Sequence, residues 1–408
     1  MARLTEKQRV NLTILVAALG YFVDVFDLQL FSMLRISSLQ SLGLSGEELT
    51  SVGSLLLNSQ MAGMLVGGIV WGILGDKRGR VWVLFGTILL YSLGNIANAF
   101  VTTIPQYAVA RFFTGLGLAG EIGVGITLAS ELLPKATRGY GATVVVGVGV
   151  AGPLVAGFMA EAFDWRVCYF VGGVLGLLLL ALRVSVNESG MFKAMDKADA
   201  PRRGHFQMLF NNKKRFVRYI AVIGSGLPIW FTLGVLVIFS PEIGVALGIA
   251  EPLKASTAVV SYYIGITIGG FISGLISQIF KNRVKVMAAF AFGTMVMTAI
   301  ILKAHGITAA QYYGLLLITG FFTGYWTLFM TSTSEQFGTN IRATATSTAP
   351  NFVRASVILY TVGIASLQPT YDLLTSIAIV AVICFAVTAV AIWKLPETFS
   401  RDLDFMER

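Results

Sequence analysis

The sequence predicts an all-α integral membrane protein with twelve transmembrane helices in two pseudo-symmetric six-helix bundles. Three observations lead to this prediction. The chain of 408 residues is 55% hydrophobic and only 12% charged, whereas soluble domains are about 25% charged. Apolar runs long enough to cross a bilayer core of about 30 Å recur along the whole length. Short motifs of the first half return in the second, which indicates a duplicated unit. This composition excludes a soluble enzyme.

Six predicted spans precede a polar stretch and six follow it. In the first half the spans lie near 11–38, 48–74, 81–100, 105–130, 138–162 and 165–186. In the second half they lie near 217–240, 254–280, 284–303, 308–333, 340–366 and 372–394. The chain therefore divides into an N-terminal bundle (1–187), a basic linker (188–216), a C-terminal bundle (217–396) and a tail (397–408). The first apolar run is too long for a cleaved signal peptide, so we expect it to remain as a helix.

The placement of positive charge predicts the orientation in the membrane. With the amino terminus in the cytoplasm, four of the 30 lysines and arginines lie on the opposite side of the membrane and two lie within spans. The other 24 are cytoplasmic. The positive-inside rule predicts this asymmetry, so we expect both termini to be cytoplasmic and the protein to be a multi-pass protein of a bacterial inner membrane. The net charge of +9 then reflects orientation and contact with membrane lipid, not a nucleic-acid partner. No feature predicts an oligomer, so we expect a monomer.

The sequence predicts no cofactor and no metal. Cys168 and Cys384 lie in separate apolar runs and the two histidines are far apart, so no disulfide framework or metal-ligand spacing exists. Two glycine runs, beginning at Gly115 and Gly147, fit the GxGxxG pattern of dinucleotide sites. Such a site needs a preceding strand, whereas both runs lie inside apolar spans. We therefore expect these glycines to bring helices close together.

Two echoes support the duplication. The run Phe112–Gly115 (Phe-Phe-Thr-Gly) returns as Phe321–Gly324, 209 residues later. Aligned on this echo, the second copy has uncharged residues opposite charged ones of the first: Gly320 opposite Arg111, and Met330 opposite Glu121. The proton chemistry is therefore expected to be concentrated in the N-terminal half.

The second echo marks helix ends. Ser130-Glu131 followed by Arg138 returns as Ser334-Glu335 followed by Arg342, 204 residues later, with the arginine seven positions after the acid in both copies. The repetition predicts that this helix end matters in each half, as part of a gate.

A charged loop between spans 2 and 3 reads Gly75-Asp76-Lys77-Arg78-Gly79-Arg80. Charges at the mouth of two helices can pair across the bundle and hold one conformation closed, and the glycines permit a tight turn. The corresponding loop between spans 8 and 9 has Gln278 where the first has an acid, so we expect a weaker latch in the second half.

These motifs resemble the signatures of the major facilitator superfamily, a large family of twelve-helix secondary transporters. Other elements also resemble that family: Glu131 with Arg138, Glu335 with Arg342, Asn187-Glu188-Ser189, the glycine-rich run ending at Gly152-Pro153, and Leu395-Pro396-Glu397-Thr398. The resemblance covers the whole chain and is closest to the branch of aromatic-acid and metabolite proton symporters and organic ion carriers. It implies a central cavity lined by helices 1, 4, 7 and 10, and two bundles that rock about a midplane site.

Charged residues within the spans are the candidates for ion coupling, because such groups are costly in a bilayer. Asp24 and Asp27 are three residues apart and so share one face of helix 1. Arg111 lies at a depth similar to Asp27, and we hypothesise an Asp27–Arg111 pair shared with Asp24. Glu121 lies deeper than Arg111 on helix 4. We expect it to bind a proton or a cation, or to pair locally. A static ion pair is the alternative for the aspartates.

Arg354 near the middle of span 11 is the candidate for binding a carboxylate, since arginine binds carboxylates in a bidentate manner. Pairing with Glu121 or Asp27 is its alternative. Further candidates for substrate contact are the following residues in the surrounding spans: Trp230, Phe231, Tyr262, Tyr263, Tyr325, Trp326 and Asn351. Packing and helix-to-helix hydrogen bonds are the alternatives for these residues.

The predicted function is secondary active transport by alternating access, with the proton as coupling ion and sodium as the alternative. The substrate is expected to be a small organic ion. Arg111 and Arg354 favour a carboxylate-bearing metabolite, while three in-span acids would equally suit a cation. The alternatives are a proton-coupled exporter of drugs or organic cations, and a non-transporting receptor of the same fold.

Overall fold

The N-terminal half forms six long helices. The computed structural model describes residues 6–132, 138–183, 206–400 and 405–407, and regular secondary structure in these ranges is helical. The helices are α1 (Glu6–Ser41), α2 (Glu47–Arg78), α3 (Arg80–Ala99), α4 (Ile104–Leu132), α5 (Arg138–Ala162) and α6 (Trp165–Arg183). Residues 188–205, most of the predicted linker, lie outside the described ranges.

The C-terminal half repeats this arrangement with two interrupted helices. Its helices are α7a (Lys213–Phe231), α7b (Ser240–Ala246), α8 (Ala255–Phe280), α9 (Arg283–Leu302), α10a (Ala309–Thr323), α10b (Trp326–Gln336), α11 (Arg342–Leu367) and α12 (Leu373–Lys394). A short 3₁₀ helix, Phe206–Leu209, precedes α7a, and a π-helical turn, Thr232–Val237, follows it. The sequence predicted single unbroken spans at both interruptions.

The break in the seventh helix has a local cause. Pro228 lies inside α7a and has no N–H to donate. The Thr232 hydroxyl donates to the carbonyls of Pro228 and Ile229, both 3.0 Å away. Such back-bonding bends helices, and the π-helical turn begins at this threonine.

The structure is that of a multi-pass membrane protein. Within the described residues, nine helices are long and apolar enough to cross a bilayer. Large apolar side chains cover their outer surface; Leu359 is 73% exposed and Trp393 is 77% exposed. In water such a surface would be unfavourable, whereas lipid tails solvate it.

Both halves pack the same pairs of helices. In the first half α2 packs on α4, α1 on α5, and α3 on α4 and α6. In the second half α8 packs on α10a, α7a on α11, and α9 on α10a and α12. Adding six to both helix numbers of a first-half pair gives the matching second-half pair, as a duplication predicts. The two bundles meet where α2 runs along α11 and α5 along α8.

Glycine contacts give the register of the duplication. A Cβ added at Gly115 would lie 2.1 Å from the Gln60 carbonyl oxygen on α2. A Cβ added at Gly320 would lie 2.1 Å from the Tyr262 carbonyl oxygen on α8. Gly115 and Gly320 are therefore equivalent, 205 residues apart, which agrees with the 204-residue offset of the Ser-Glu echo.

The alignment based on the Phe-Phe-Thr-Gly echo is therefore wrong by one helical turn. In the structural register Leu316 stands opposite Arg111, and Trp326 stands opposite Glu121. The conclusion that the second copy lacks these charges is unchanged. The Phe-Phe echo gave the wrong register because large aromatic residues on a helix surface can recur at several positions. A glycine that touches a backbone carbonyl fixes the register, because a larger residue does not fit there.

The glycine run of α4 serves helix packing. A Cβ at Gly117 would lie 2.5 Å from the Tyr91 backbone nitrogen, and one at Gly120 would lie 2.4 Å from Thr87 Cγ2. The prediction that this GxGxxG run packs helices is confirmed.

Candidate functional site

Asp76 joins the two bundles at one end of the molecule, which we call the Asp76 end. Its carboxylate accepts hydrogen bonds from the N–H groups of Ala343 and Thr344, at 3.2 and 2.8 Å, and from the Thr344 hydroxyl at 2.6 Å. These are the first amides of α11, where a helix N-terminus favours negative charge. Gly72 of α2 lets α11 approach, since an added Cβ would lie 3.1 Å from Thr344 Cα. The predicted gate acid therefore acts on a helix end.

The other members of the charged loop have smaller parts. Gly75 is buried. Gly79 has φ of +103°, a conformation that glycine adopts without strain, and it turns the chain from α2 into α3. The Arg78 guanidinium lies 5.0 Å from the ring centre of Trp82, on the surface. The side chains of Arg80, Glu131 and Arg138 lie outside the described residues.

The second copy of the predicted gate motif lies at the same end of the molecule. Glu335 forms an ion pair of 2.6 Å with Arg283, and Arg342 donates to the carbonyls of Ser334 and Phe337, at 3.1 and 3.2 Å. Glu335 and Arg342 thus both contribute contacts at the Asp76 end, Glu335 to a side chain and Arg342 to backbone carbonyls.

Glu397, in the Leu-Pro-Glu-Thr element, binds the start of α9. Its carboxylate accepts the N–H groups of Arg283 and Val284, at 3.1 and 3.0 Å. Partial burial raises the pKa of Glu397, but these and neighbouring backbone donors outweigh it and hold the pKa below its usual value.

Arg35 and Glu242 close the opposite end, which we call the Glu242 end. Arg35 Nη2 lies 2.7 Å from Glu242 Oε1, and Thr50 donates to the same carboxylate at 3.2 Å. The guanidinium also lies 4.7 Å from the ring centre of Phe239. Sequence analysis counted Arg35 among the positive charges on the side of the membrane opposite the cytoplasm and gave it no role, whereas the structure buries it fully on α1, against α7b. Its position within the long apolar pattern of α1 was the available signal.

A polar cluster lies inside the N-terminal bundle around Asp27. Asp27 faces Asn95 of α3 and lies within electrostatic range of Asp24 and Arg111. Its Oδ1 packs against α6, where a Cβ added at Gly172 would be 2.7 Å away. All of these polar side chains are fully buried.

The direct Asp27–Arg111 pair that we expected is not formed. Both residues are described, and no contact within 4.0 Å joins them; Arg111 instead donates to Gln60 Oε1 of α2. Its guanidinium carbon lies 4.7 Å from the Phe31 ring centre. The expectation used depth alone, which does not determine the direction of a side chain around a helix.

A second charged site lies between the bundles around Arg354. Its Nη2 lies 4.0 Å from Asp24 Oδ2, and both side chains are buried, at 2% and 0% exposure. Its Nη1 donates to Asn351 Oδ1 at 3.3 Å, and its guanidinium carbon lies 5.6 Å from the Trp230 ring centre. Asp24, rather than Asp27 or Glu121, is therefore the acid that pairs with Arg354.

Asn351 holds this site in place across the bundle boundary. Its Nδ2 donates to the Ala119 carbonyl of α4 at 2.8 Å and to the Ser347 carbonyl at 2.6 Å. Glu121 lies near this contact on α4. Its side chain is buried, at 2% exposure, and has an interaction partner.

The aromatic candidates divide into two groups. Tyr21 and Tyr263 lie within electrostatic range of Arg354, and the Tyr21 hydroxyl meets the Trp326 side chain. Together with Trp230 they surround the Arg354–Asp24 pair. Tyr21 was missed from the sequence, because one tyrosine in an apolar span gives no sign of the direction it faces.

Three other aromatic candidates lie inside the C-terminal bundle instead. Phe231 packs on Tyr360 with ring centres 5.3 Å apart. The hydroxyl of Tyr262 lies 2.8 Å from that of Thr232, and the Tyr325 hydroxyl donates to the Ser225 carbonyl at 2.9 Å. These contacts stabilise α7a, and the prediction that Phe231, Tyr262 and Tyr325 contact substrate is not supported by their placement.

Nothing in the described part of the chain forms a metal site, since no group of three or more histidine, cysteine or acidic side chains comes together there. Cys168 and Cys384 are free and buried.

The fold and site define a class of protein. Two helical bundles with buried charges between them, and contacts that join the bundles at both ends, define a polytopic membrane transporter. The sequence model of the Major Facilitator Superfamily matches residues 17–361. The chain belongs to this family. It is a transporter and not an enzyme.

Known proteins with similar sequences are transporters. A cis,cis-muconate transport protein of Acinetobacter baylyi is 28% identical over 371 residues, which cover 86% of this chain and 87% of that protein. The 4-hydroxybenzoate transporter PcaK of Pseudomonas putida is 32% identical over 184 residues, covering 44% of this chain and 40% of that protein. The solved structure of the proton:xylose symporter XylE bound to 6-bromo-6-deoxy-D-glucose is 17% identical, with a TM-score of 0.75 over 98% of both chains. That likeness shows the shared fold.

Proposed function

We propose that the protein is a proton-coupled symporter that carries a small organic anion across a bacterial cell membrane by alternating access. The observation that carries this proposal is Arg354, a buried guanidinium at the boundary between the bundles, only 4.0 Å from Asp24. A guanidinium in that position can bind a substrate carboxylate in a bidentate manner. The nearby rings of Trp230, Tyr21 and Tyr263 offer faces and edges to an aromatic substrate.

The names of the relatives support the substrate class. Muconate and 4-hydroxybenzoate, the substrates named for these two relatives, are both carboxylates. One arginine and several aromatic side chains suit a planar or unsaturated carboxylate better than a sugar, which would need many hydrogen-bonding side chains.

Two acids support proton coupling. Asp24 and Asp27 are fully buried within a membrane span, where ionisable residues mark ion pathways and proton relays. Protonation of Asp24 would weaken its hold on Arg354, so that proton and substrate binding are linked through one arginine. Sodium is the alternative coupling ion.

The gates support alternating access. The Asp76 contact at one end and the Arg35–Glu242 pair at the other each join the two bundles, so opening one end requires one of them to break. We place the Asp76 end and both termini in the cytoplasm, with twelve spans crossing the membrane, because the positive charges concentrate at that end.

An exporter of organic cations is the second candidate, since three buried acids, Asp24, Asp27 and Glu121, lie within the spans and could bind a cation. Purified protein in liposomes separates the two. With an imposed inward proton gradient, we expect 4-hydroxybenzoate or muconate to accumulate inside and to be released when the gradient is collapsed. Accumulation of an organic cation against an opposing proton gradient, with no carboxylate flux, would contradict the proposal. Binding without any flux would identify a receptor.

A further inference from the structure

Three buried hydroxyl groups form a chain inside the N-terminal bundle. The Tyr107 hydroxyl lies 2.8 Å from the Tyr169 hydroxyl and donates to Ser38 Oγ at 3.3 Å. All three side chains have 0% exposure. A hydroxyl both donates and accepts hydrogen bonds, so neighbouring hydroxyls can pass a proton along such a chain.

The outer end of the chain lies at the Glu242 end of the molecule. Ser38 is one turn from Ser41, the exposed last residue of α1, whose hydroxyl donates to the Ser38 carbonyl at 2.8 Å. Tyr107 is in the first turn of α4 and Tyr169 is near the start of α6. Solvent is therefore about one helical turn, or roughly 5 Å, from the first hydroxyl.

The inner end of the chain lies beside Asp27. The ring centre of Tyr169 is 5.7 Å from the guanidinium carbon of Arg111. Gly172, one turn further along α6, is the residue against which Asp27 Oδ1 packs, with an added Cβ 2.7 Å away. Tyr169 and Asp27 thus both lie near Arg111.

Several buried polar atoms around Asp27 have no hydrogen-bond partner among the described residues. Both oxygens of Asp27, both amide atoms of Asn95, and Nε and Nη1 of Arg111 are buried and make no hydrogen bond to the described residues. Buried polar atoms that lack a protein partner are satisfied by ordered water. Water bound among these atoms would complete the step from the Tyr169 hydroxyl to the Asp27 carboxylate.

We propose that Ser38, Tyr107 and Tyr169 conduct the coupling proton from the Glu242 end to Asp27, along a route inside the N-terminal bundle. The proposal rests on the proposed function. Tyr107 donates towards Ser38 in this structure, so the Ser38 and Tyr107 hydroxyls first rotate to donate inwards; each hydroxyl oxygen then takes up the incoming proton and releases its own to the next acceptor. Solvent supplies one proton, Asp27 receives one, and the tyrosines stay neutral. The route is separate from the path of the substrate, which lies between the bundles at Arg354.

The second half of the chain supplies a matched control. Tyr312 is equivalent to Tyr107 in the 205-residue register and is equally buried. Its hydroxyl donates to the Leu236 carbonyl at 2.8 Å, and Leu316 stands where the first copy has Arg111. The same hydroxyl is thus present in the second copy, where it donates to a backbone carbonyl instead of meeting another tyrosine hydroxyl.

The test compares Tyr107→Phe and Tyr169→Phe with Tyr312→Phe in proteoliposomes. Two rates are measured for whichever of 4-hydroxybenzoate and muconate the wild type carries faster: accumulation driven by a proton gradient, and exchange of labelled for unlabelled substrate at equal pH. Exchange needs no net proton movement. We expect the first two variants to lose about tenfold or more of the driven accumulation and to keep exchange, while the control keeps both.

Two results would overturn the inference. Driven accumulation that stays at the wild-type level in both relay variants would show that the hydroxyls carry no proton. Parallel loss of accumulation and exchange would show that they only support the fold. If the wild type exchanges substrate but never responds to a proton gradient, the proposed coupling itself fails.

Discussion

Asp24 and Asp27 show how much depends on a direction that a sequence does not contain. They are three residues apart on α1, and both are fully buried. Asp24 turns to Arg354 of the other bundle, whereas Asp27 turns to Asn95 and Gly172 of its own bundle. The sequence therefore identified the charged residues of the site, but not which acid pairs with which arginine.

Removing one member of the Arg354–Asp24 pair should destabilise the protein strongly. Arg354→Gln leaves Asp24 buried without its counter-charge, at a cost of about 3–5 kcal/mol. The double variant with Asp24→Asn removes both charges, so we expect it to recover much of that loss while binding no carboxylate. Thermal unfolding in detergent and carboxylate binding measure the two effects.

Arg166→Gln is the control for this prediction, because that arginine is only partly buried and its guanidinium contacts a ring and a backbone carbonyl, of Trp165 and Ala99, instead of a buried acid. Equal stability of the single and double variants would show that the pair is not coupled. Unchanged carboxylate binding by Arg354→Gln would refute the role assigned to Arg354.

At the scale of the helix, the length of the apolar runs was enough to locate the long helices, because bilayer thickness fixes the length of a spanning helix. The interruptions in the seventh and tenth helices were not predictable from hydropathy, since their residues are as apolar as the rest. The register of the duplication was also missed. Tyr107, Thr114 and Gly115 recur as Tyr312, Thr319 and Gly320, and that pattern at 205 residues was the usable signal.

The close contact of α2 with α4 gives a prediction for a single methyl group. Gly115→Ala would place a Cβ 2.1 Å from the Gln60 carbonyl oxygen, and forcing the helices apart should cost about 1–3 kcal/mol. Gly314→Ala is the matched control, because an added Cβ there meets nothing within 4 Å.

The control should be neutral or stabilising by up to about 1 kcal/mol, since alanine favours helices more than glycine does. Melting temperatures of the two variants in one detergent measure the difference. Equal melting temperatures would contradict the close packing described for α4.

At the scale of the whole molecule, the two bundles are joined at opposite ends by different chemistry. Asp76 holds the first turn of α11 through backbone amides, whereas Arg35 and Glu242 form an ion pair. The gate motif was recognisable from its charges, but its partner was not, because a backbone amide leaves no mark in a sequence.

Asp76→Asn should favour conformations open at the Asp76 end. Losing a charged acceptor at a helix N-terminus costs about 1 kcal/mol, which changes the ratio of two conformations about fivefold. Spin labels at Lys77 and Lys281, exposed residues of the two bundles at that end, would report a larger share of long distances. Glu251→Gln, an exposed acid elsewhere, is the control; identical distance distributions in both variants would contradict the gate.

The central claim, that this transporter moves a carboxylate together with a proton through Asp27, has one direct test. The external pH of lightly buffered proteoliposomes is recorded while 4-hydroxybenzoate or muconate is added. The account predicts a transient rise in external pH with the wild type, and none with Asp27→Asn, although that variant still exchanges labelled substrate. Carboxylate uptake without any pH change in the wild type, or an unchanged pH rise in Asp27→Asn, would contradict it.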